Sequence, residues 1–182
     1  MGMLTTSDIR WFPMRVTYNR EMRIKECFDE LGMECFIPMC YDLSASDIIE
    51  KKVLVPAIHN LIFVHSSQAA ITKLKMERRA FFPIRYMMKR QGEGGGILTV
   101  PDKEMENFMR VASVDDDSVF YLDYNDYINK IGQRVRITAG RFKDVVGVIK
   151  RVKRNKHVVV QIEGIAAVAI TYIPAEFLEE IG

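Results

Sequence analysis

The chain of 182 residues is 48% hydrophobic and 27% charged, an ordinary mixture for a globular protein of one or two domains with material for a core. No stretch approaches the roughly 20 apolar residues that span a bilayer. The formal net charge is only +2, so the whole-chain balance does not announce a nucleic-acid binder.

Taken in order, residues 1–8 are polar, lack the apolar core of a signal peptide and are expected to fray. Residues 11–18 read as a first strand, in which Pro13 has no amide to donate and predicts an edge position or a local irregularity. Asn19 is placed to cap the helix that follows. There Ile24, Cys27, Phe28 and Leu31 recur at i, i+3, i+4 and i+7, one buried stripe. Glu21 and Lys25 are spaced for an i,i+4 ion pair, and Gly32 ends the helix. Residues 34–39 are a second strand. Residues 41–52 are polar, a loop or irregular hairpin, and residues 51–56 return toward the sheet. Residues 61–65 are a continuous apolar run, the pattern of a strand buried on both faces. Ser66 or Ser67 caps a short helix carrying Ile71 and Leu74. Residues 84–89 and 97–100 form a hairpin. Its tip is the glycine tract 92–96, which no P-loop Lys-Ser/Thr follows. Asp102 caps a helix with Met105, Phe108, Met109 and Ala112 on one face.

This order of elements predicts an α+β protein, beginning with an α/β sandwich whose mostly antiparallel sheet is flanked by helices, over residues 9–113. Residues 114–130 interleave aspartates with Phe120, Tyr121, Tyr124 and Tyr127. They carry five acidic groups against one lysine and read as a linker whose aromatics can dock on a domain. Residues 131–182 carry nine basic and five acidic groups and alternate as short strands. The cysteines Cys27, Cys35 and Cys40 are an odd number without metal-type spacing and read as reduced thiols; Cys27 is placed in the core. No zinc or other metal site is expected. His59 and His65, at either side of the buried strand, read as satisfied or partner-facing side chains.

Within the last segment Val135 and Ile137 alternate with Arg134, Arg136 and Thr138. A loop follows in which Gly140 is free to take a positive φ. Val146, Val148, Ile149 and Val152 then resume a strand, with Gly147 inside it. Glycine in a strand marks a bulge, a tight bend or a close backbone approach, as a small curved barrel requires. This strand-loop-strand unit, with its Gly140-x-Phe142 loop and Gly147-Val148, closely resembles a KOW motif. The resemblance implies a small SH3-like β-barrel over residues 131–182 that works near RNA or ribonucleoprotein.

An α/β sandwich, a linker and one C-terminal KOW barrel is the plan of the NusG family of transcription elongation and antitermination factors, and the whole of residues 9–182 resembles it. Trp11-Phe12, Thr17-Tyr18-x-Arg20-Glu21, Cys35-Phe36-Ile37-Pro38-Met39 and Asn60-Leu61-Ile62-Phe63-Val64 carry the N-terminal part. Within the family the chain is most similar to the UpxY type, paralogues that promote transcription of capsular polysaccharide operons. Met14-Arg15-x-Thr17-Tyr18, Phe36-Ile37-Pro38-Met39, Val55-Pro56-Ala57-x-His59-Asn60-Leu61-Ile62-Phe63-Val64-His65 and Ile162-x-Gly164-Ile165-Ala166-Ala167-Val168-Ala169 carry that likeness. Where the family has Phe-Pro-Gly-Tyr, this chain has Ile58-His59-Asn60-Leu61.

The absence of a spanning stretch and of a signal-peptide core points to the cytoplasm, and the resemblance implies a monomer that is not an enzyme, needs no cofactor and binds the clamp helices of the largest catalytic subunit of RNA polymerase through its N-terminal domain. By position Tyr18, Phe36, Leu61 and Phe63 would make that contact, although Phe36 and Phe63 read equally well as core residues. Nascent RNA or non-template DNA, and a ribosomal or termination protein held by the barrel, are further candidate partners. The basic run Lys150, Arg151, Lys153, Arg154 and Lys156 is the candidate contact for RNA phosphates or an acidic partner, or else a solvated hairpin tip. The apolar loop residues Phe142 and Val145 are the candidate protein contact. A ribosome-associated KOW protein acting in translation or assembly is the alternative reading.

Overall fold

The computed structural model describes residues 9–42, 53–89, 94–114, 116–123, 132–152 and 154–182. The expectations for the N-terminal eight residues, most of the loop 41–52, the beginning of the glycine tract, Tyr124, Tyr127 and Ile131 lie outside them. In chain order the elements are β1 (Ile9–Val16), α1 (Glu21–Glu30), β2 (Cys35–Phe36), β3 (Met39–Asp42), β4 (Val53–Pro56), β5 (Leu61–Ser67), α2 (Gln68–Glu77), β6 (Ile84–Tyr86) and α3 (Asp102–Ala112). They continue with β7 (Val119–Tyr121), β8 (Gln133–Ile137), β9 (Val146–Val152), β10 (Asn155–Ile162), β11 (Ala166–Ile170) and β12 (Leu178–Glu180). The backbone packs as two compact units. The first takes the described residues of Met1–Pro38 and Pro56–Asp102, the second those of Met39–Val55 and Lys103–Gly182.

The first unit is built on a four-stranded sheet in the order β2-β5-β1-β6, antiparallel throughout. Strand β5 holds the expected position. It lies between β2 and β1, and four successive residues, Leu61 to Val64, are buried, which requires cover on both faces. Pro13 is not on an edge strand. Instead the pairing of β1 on its β6 side is irregular there: Met14–Val16 pair with β6, and the next partner is a single bridge from Trp11 to Val100. A residue without an amide hydrogen is tolerated where that ladder lapses.

Helix α1 buries Ile24 and Phe28 as its spacing predicts. The Phe28 ring meets Phe81 at 4.8 Å. Cys27 and Leu31 are only half-buried. Two expectations fail at this helix. Asn19 does not cap it; Arg20 occupies the cap position, and its side chain makes no capping bond. Nor does Glu21 pair with Lys25. Glu21 lies at i, i+3, i+7 with Ile24 and Phe28 and is therefore carried to the buried side, while Lys25 bonds Asp29 at 2.6 Å. The C-terminus closes as a Schellman turn, with Gly32 at φ +63° and the Met33 amide donating to the Phe28 carbonyl at 3.0 Å. Of the two candidate caps of α2, it is Ser67 that accepts from the Ala70 amide, at 3.2 Å. The hairpin after β6 closes through a Met88–Ile97 bridge, and regular pairing is confined to Ile84–Tyr86.

The second unit carries a six-stranded antiparallel sheet in the order β12-β8-β9-β10-β11-β7. Part of the segment expected to link the domains is its edge strand: Val119, Phe120 and Tyr121 pair with Ile170, Ala169 and Val168. The apolar members of that segment are reason enough. Leu122 is buried with Val152, Val159, Ala167 and Ala169, and Phe120 packs on the same cluster. Helix α3, expected with the N-terminal sheet, groups with this unit. It buries Met105, Phe108, Val111 and Ala112, whereas Met109 is half-buried. Its carboxylate Glu104 accepts from the Glu163 amide, Arg110 donates to the Arg141 carbonyl, and its Ala112 carbonyl accepts from the Tyr121 hydroxyl at 2.9 Å. Burial pushes that phenol well above its ordinary range. Among the described residues, strands β3 and β4 pair with each other as a two-stranded sheet. Ala57 donating to Pro38 at 2.8 Å closes that excursion at its base.

Candidate functional site

Three loops meet at one end of the four-stranded sheet. The turn after β1 contains Tyr18 and Asn19, the loop before β5 contains His59 and Asn60, and the turn before β6 contains Phe82 and Pro83. Backbone hydrogen bonds join them: Val16 donates to the Asn60 carbonyl at 2.9 Å and Thr17 to the Pro83 carbonyl at 3.1 Å. Asn60 is the hub. Its side-chain oxygen accepts from the Asn19 amide at 3.1 Å, and its own amide donates to the Glu21 carboxylate at 3.2 Å.

Tyr18, Asn19 and Asn60 all have positive φ, at 66°, 51° and 62°. For an aromatic residue this is uncommon, and such strain gathers where surrounding bonds over-determine the backbone. Asparagine is the residue that best tolerates it in place of glycine. Asn60 stands where the resembled family has glycine.

Tyr18 is 82% exposed, and the Arg20 guanidinium lies 5.6 Å from the centre of its ring. The other three expected contact residues are placed differently. Leu61 and Phe63 are buried and Phe36 is half-buried opposite Phe63. Of the four, Tyr18 alone is exposed. Two apolar side chains at these loops escaped the sequence reading: Met22 in the first turn of α1 and Phe82 are both exposed. The pair Phe81-Phe82 carried a signal. In the single 3-10 turn at Arg79–Phe81 neighbouring side chains diverge, so one ring faces the core and the other solvent. His65 is satisfied, stacked on Trp11 at 4.7 Å with Nδ1 2.7 Å from Glu34. His59 is exposed, 3.9 Å from Glu21.

In the second unit the glycine loop has the expected shape. Gly140 takes φ +79° and Asp144 +69°, and the Asp144 amide donates back to the Ile137 carbonyl at 2.7 Å. The expectation that Phe142 and Val145 form an apolar contact for a protein is corrected: both are buried, because the loop folds them beneath itself. Arg141, Lys143 and Asp144 are what it exposes. Arg141 pairs with Asp116, whose carboxyl is held down to about 2 by hydrogen bonds from Ser118 first and from Arg141 second.

The basic run divides. Lys150 is buried and donates to the Gln161 side chain at 2.9 Å. Arg151 and Lys156 are exposed and opposite one another on β9 and β10. Arg154 is exposed in the turn between, at φ +76°. Lys153 lies outside the described residues. The three cysteines are free, and burial raises the Cys35 thiol to about 11.

A family model described as "Transcription termination factor nusG" matches residues 9–109, and a KOW motif model matches residues 131–163. No match is found among curated proteins. A solved structure described as "Domain interaction in Thermotoga maritima NusG" is 16% identical over 98% of this chain and 100% of that chain, with a TM-score of 0.44.

Proposed function

This chain belongs to the NusG family of transcription factors, and from that premise we propose that it binds RNA polymerase through its N-terminal domain and promotes processive transcription of specific long operons. The observation that carries the reading is Tyr18, an exposed ring held on a strained, hydrogen-bonded turn at the end of the sheet. Rigid aromatic side chains presented in this way make interface anchors, because little conformational freedom is lost on docking. The clamp helices of the largest catalytic subunit are the proposed partner, with the exposed Met22 and Phe82 as further apolar contacts. In this reading residues 9–113 are the polymerase-binding domain and residues 131–182 the KOW domain, and residues 114–130 join them, with Val119–Tyr121 serving as the edge strand of the second unit's sheet. The Ile58-His59-Asn60-Leu61 sequence favours a specialised paralogue of the UpxY type, with capsular polysaccharide synthesis as the target.

The test is affinity purification of the tagged protein from its native cells, treated with RNase, beside a Tyr18→Ala variant. Core RNA polymerase is expected with the parent chain and is expected to fall away with the variant, whose melting temperature stays unchanged. Recovery of ribosomal subunits without polymerase would move the function to translation.

The exposed cations Arg151, Arg154 and Lys156 are the proposed contact for nucleic-acid phosphates. Replacing all three by alanine is expected to weaken binding of a single-stranded leader RNA and to flatten its salt dependence. At about 0.7 per phosphate contact, the slope of log K against log salt falls by about two. RNA affinity that does not respond to salt in the parent chain sinks this assignment.

A further inference from the structure

Glu21 is 2% exposed, in the first turn of a helix whose neighbouring charges are exposed or, at Lys25, half-buried. A carboxylate is expensive to bury unless hydrogen bonds and charge repay its lost hydration. Its helix supplies part of the compensation, since the first turn presents unpaired amides and the positive end of the dipole. The remaining contacts are few. Oε1 accepts from the Asn60 amide at 3.2 Å, the His59 ring lies 3.9 Å away, and Oε2 is buried without a hydrogen-bond partner among the described residues. An apolar residue would fill this place on the Ile24–Phe28 stripe with less difficulty.

What the carboxylate does provide is a fixed acceptor for one backbone amide. Asn60 sits at φ +62°, a conformation open to asparagine without being its preferred one, so the bonds around it decide whether it is kept. Glu21 holds its N–H, Val16 holds its carbonyl, and its own side chain reaches across to the Asn19 amide. The last of these bonds fixes the residue next to Tyr18. The chain of contacts therefore runs from Glu21 through Asn60 to the turn that presents the exposed ring.

We infer that Glu21 is a positioning residue. Its buried carboxylate clamps the Asn60 amide, and through Asn60 it sets the left-handed turn that aims Tyr18 at the partner. This rests on the polymerase-binding reading given above. The role needs an acceptor at Oε1 and does not need a net charge. Glutamine is therefore expected to serve, and leucine, which fits the apolar stripe but accepts nothing, is expected to fail.

The experiment uses the full chain and three variants, Glu21→Gln, Glu21→Leu and Tyr18→Ala, with two readouts. The first is amide hydrogen exchange at Asn60 and Asn19, followed by NMR together with the melting temperature. The second is affinity for core RNA polymerase. Glu21→Leu is expected to lose protection at Asn60 and Asn19 while Val64 and Phe28 stay protected, and to bind polymerase about tenfold more weakly. Glu21→Gln is expected to restore both. Unchanged protection of Asn60 in Glu21→Leu overturns the clamp, whatever polymerase does. Lost protection with undiminished affinity, while Tyr18→Ala still weakens binding, overturns the positioning role alone. If Tyr18→Ala binds as the parent does, the polymerase reading itself falls, and the positioning role with it.

Discussion

Replacing Phe63 by alanine is expected to cost about 3–5 kcal/mol of stability, the range for removing a fully enclosed aromatic side chain. Phe63 has no exposed surface and lies in the middle of the sheet, opposite Pro13 on one side and Phe36 on the other. The ring stands off one face of the sheet, and the strands paired on either side hold the backbone beneath it in register, so β5 cannot shift to fill the hole. Denaturant unfolding should show a lower midpoint with an unchanged slope. Tyr18→Ala, at a position 82% exposed, is expected to stay within about 0.5 kcal/mol of the parent. A Phe63→Ala variant that keeps its midpoint and still loses polymerase would make Phe63 a contact residue and contradict its burial.

The second large effect is expected at Gly147, and the reason is crowding. A β-carbon there would stand 2.7 Å from Val158 Cγ1 and 2.9 Å from the Val159 carbonyl oxygen. The valine methyl can turn aside, but the carbonyl belongs to the backbone of β10, which pairs with β9 along five registered residues. Overpacking of this kind costs typically about 1–3 kcal/mol, and a backbone obstacle puts Gly147→Ala at the upper end or above. Gly140→Ala separates the two glycines of the motif. The space at Gly140 is open to 3.8 Å, and only its φ of +79° opposes a side chain, so about 1–2 kcal/mol is expected. Unfolding of the second unit, followed through Phe120 and Tyr121 resonances, should rank Gly147→Ala as the more damaging. The reverse order would mean that β9 and β10 separate more easily than their pairing suggests.

Much of this architecture could be read in the sequence wherever a single local rule dominates. The unbroken apolar run at 61–65 placed a doubly covered strand, Gly32 placed the end of α1, and the Gly140–Gly147 spacing placed the curved strand pair. The failures share a different cause. Glu21 looked like half of a surface ion pair because its residue type was read before its helical phase; the stripe through Ile24 and Phe28 also passes through position 21. Residues 119–122 looked like a linker because five aspartates set the local composition, yet the four apolar residues among them decide where the backbone goes. At the candidate site the exposed Tyr18 was legible from its place at a strand end. Phe142, Val145 and Lys150 were misread because a loop or a basic run says nothing about which side chains fold inward. The hub formed by Asn60 joins residues 39 and 41 positions apart, and no local pattern encodes it.

The pairing of β7 with β11 has a practical consequence for dividing the protein. A fragment cut at residue 131 begins after Val119, Phe120, Tyr121 and Leu122. It would bare the outer edge of β11, a strand of five buried residues, where Val168, Ala169 and Ile170 lose their strand partners and the Ala167 carbonyl loses the Leu122 amide. It would also uncover the apolar cluster that Leu122 closes. An uncovered apolar edge of that kind is a template for sticking to further copies. Insolubility of such a fragment would then report where it was cut and nothing about its native partners. A faithful excision starts upstream of Asp116, whose bond to Arg141 ties that edge back to the glycine loop.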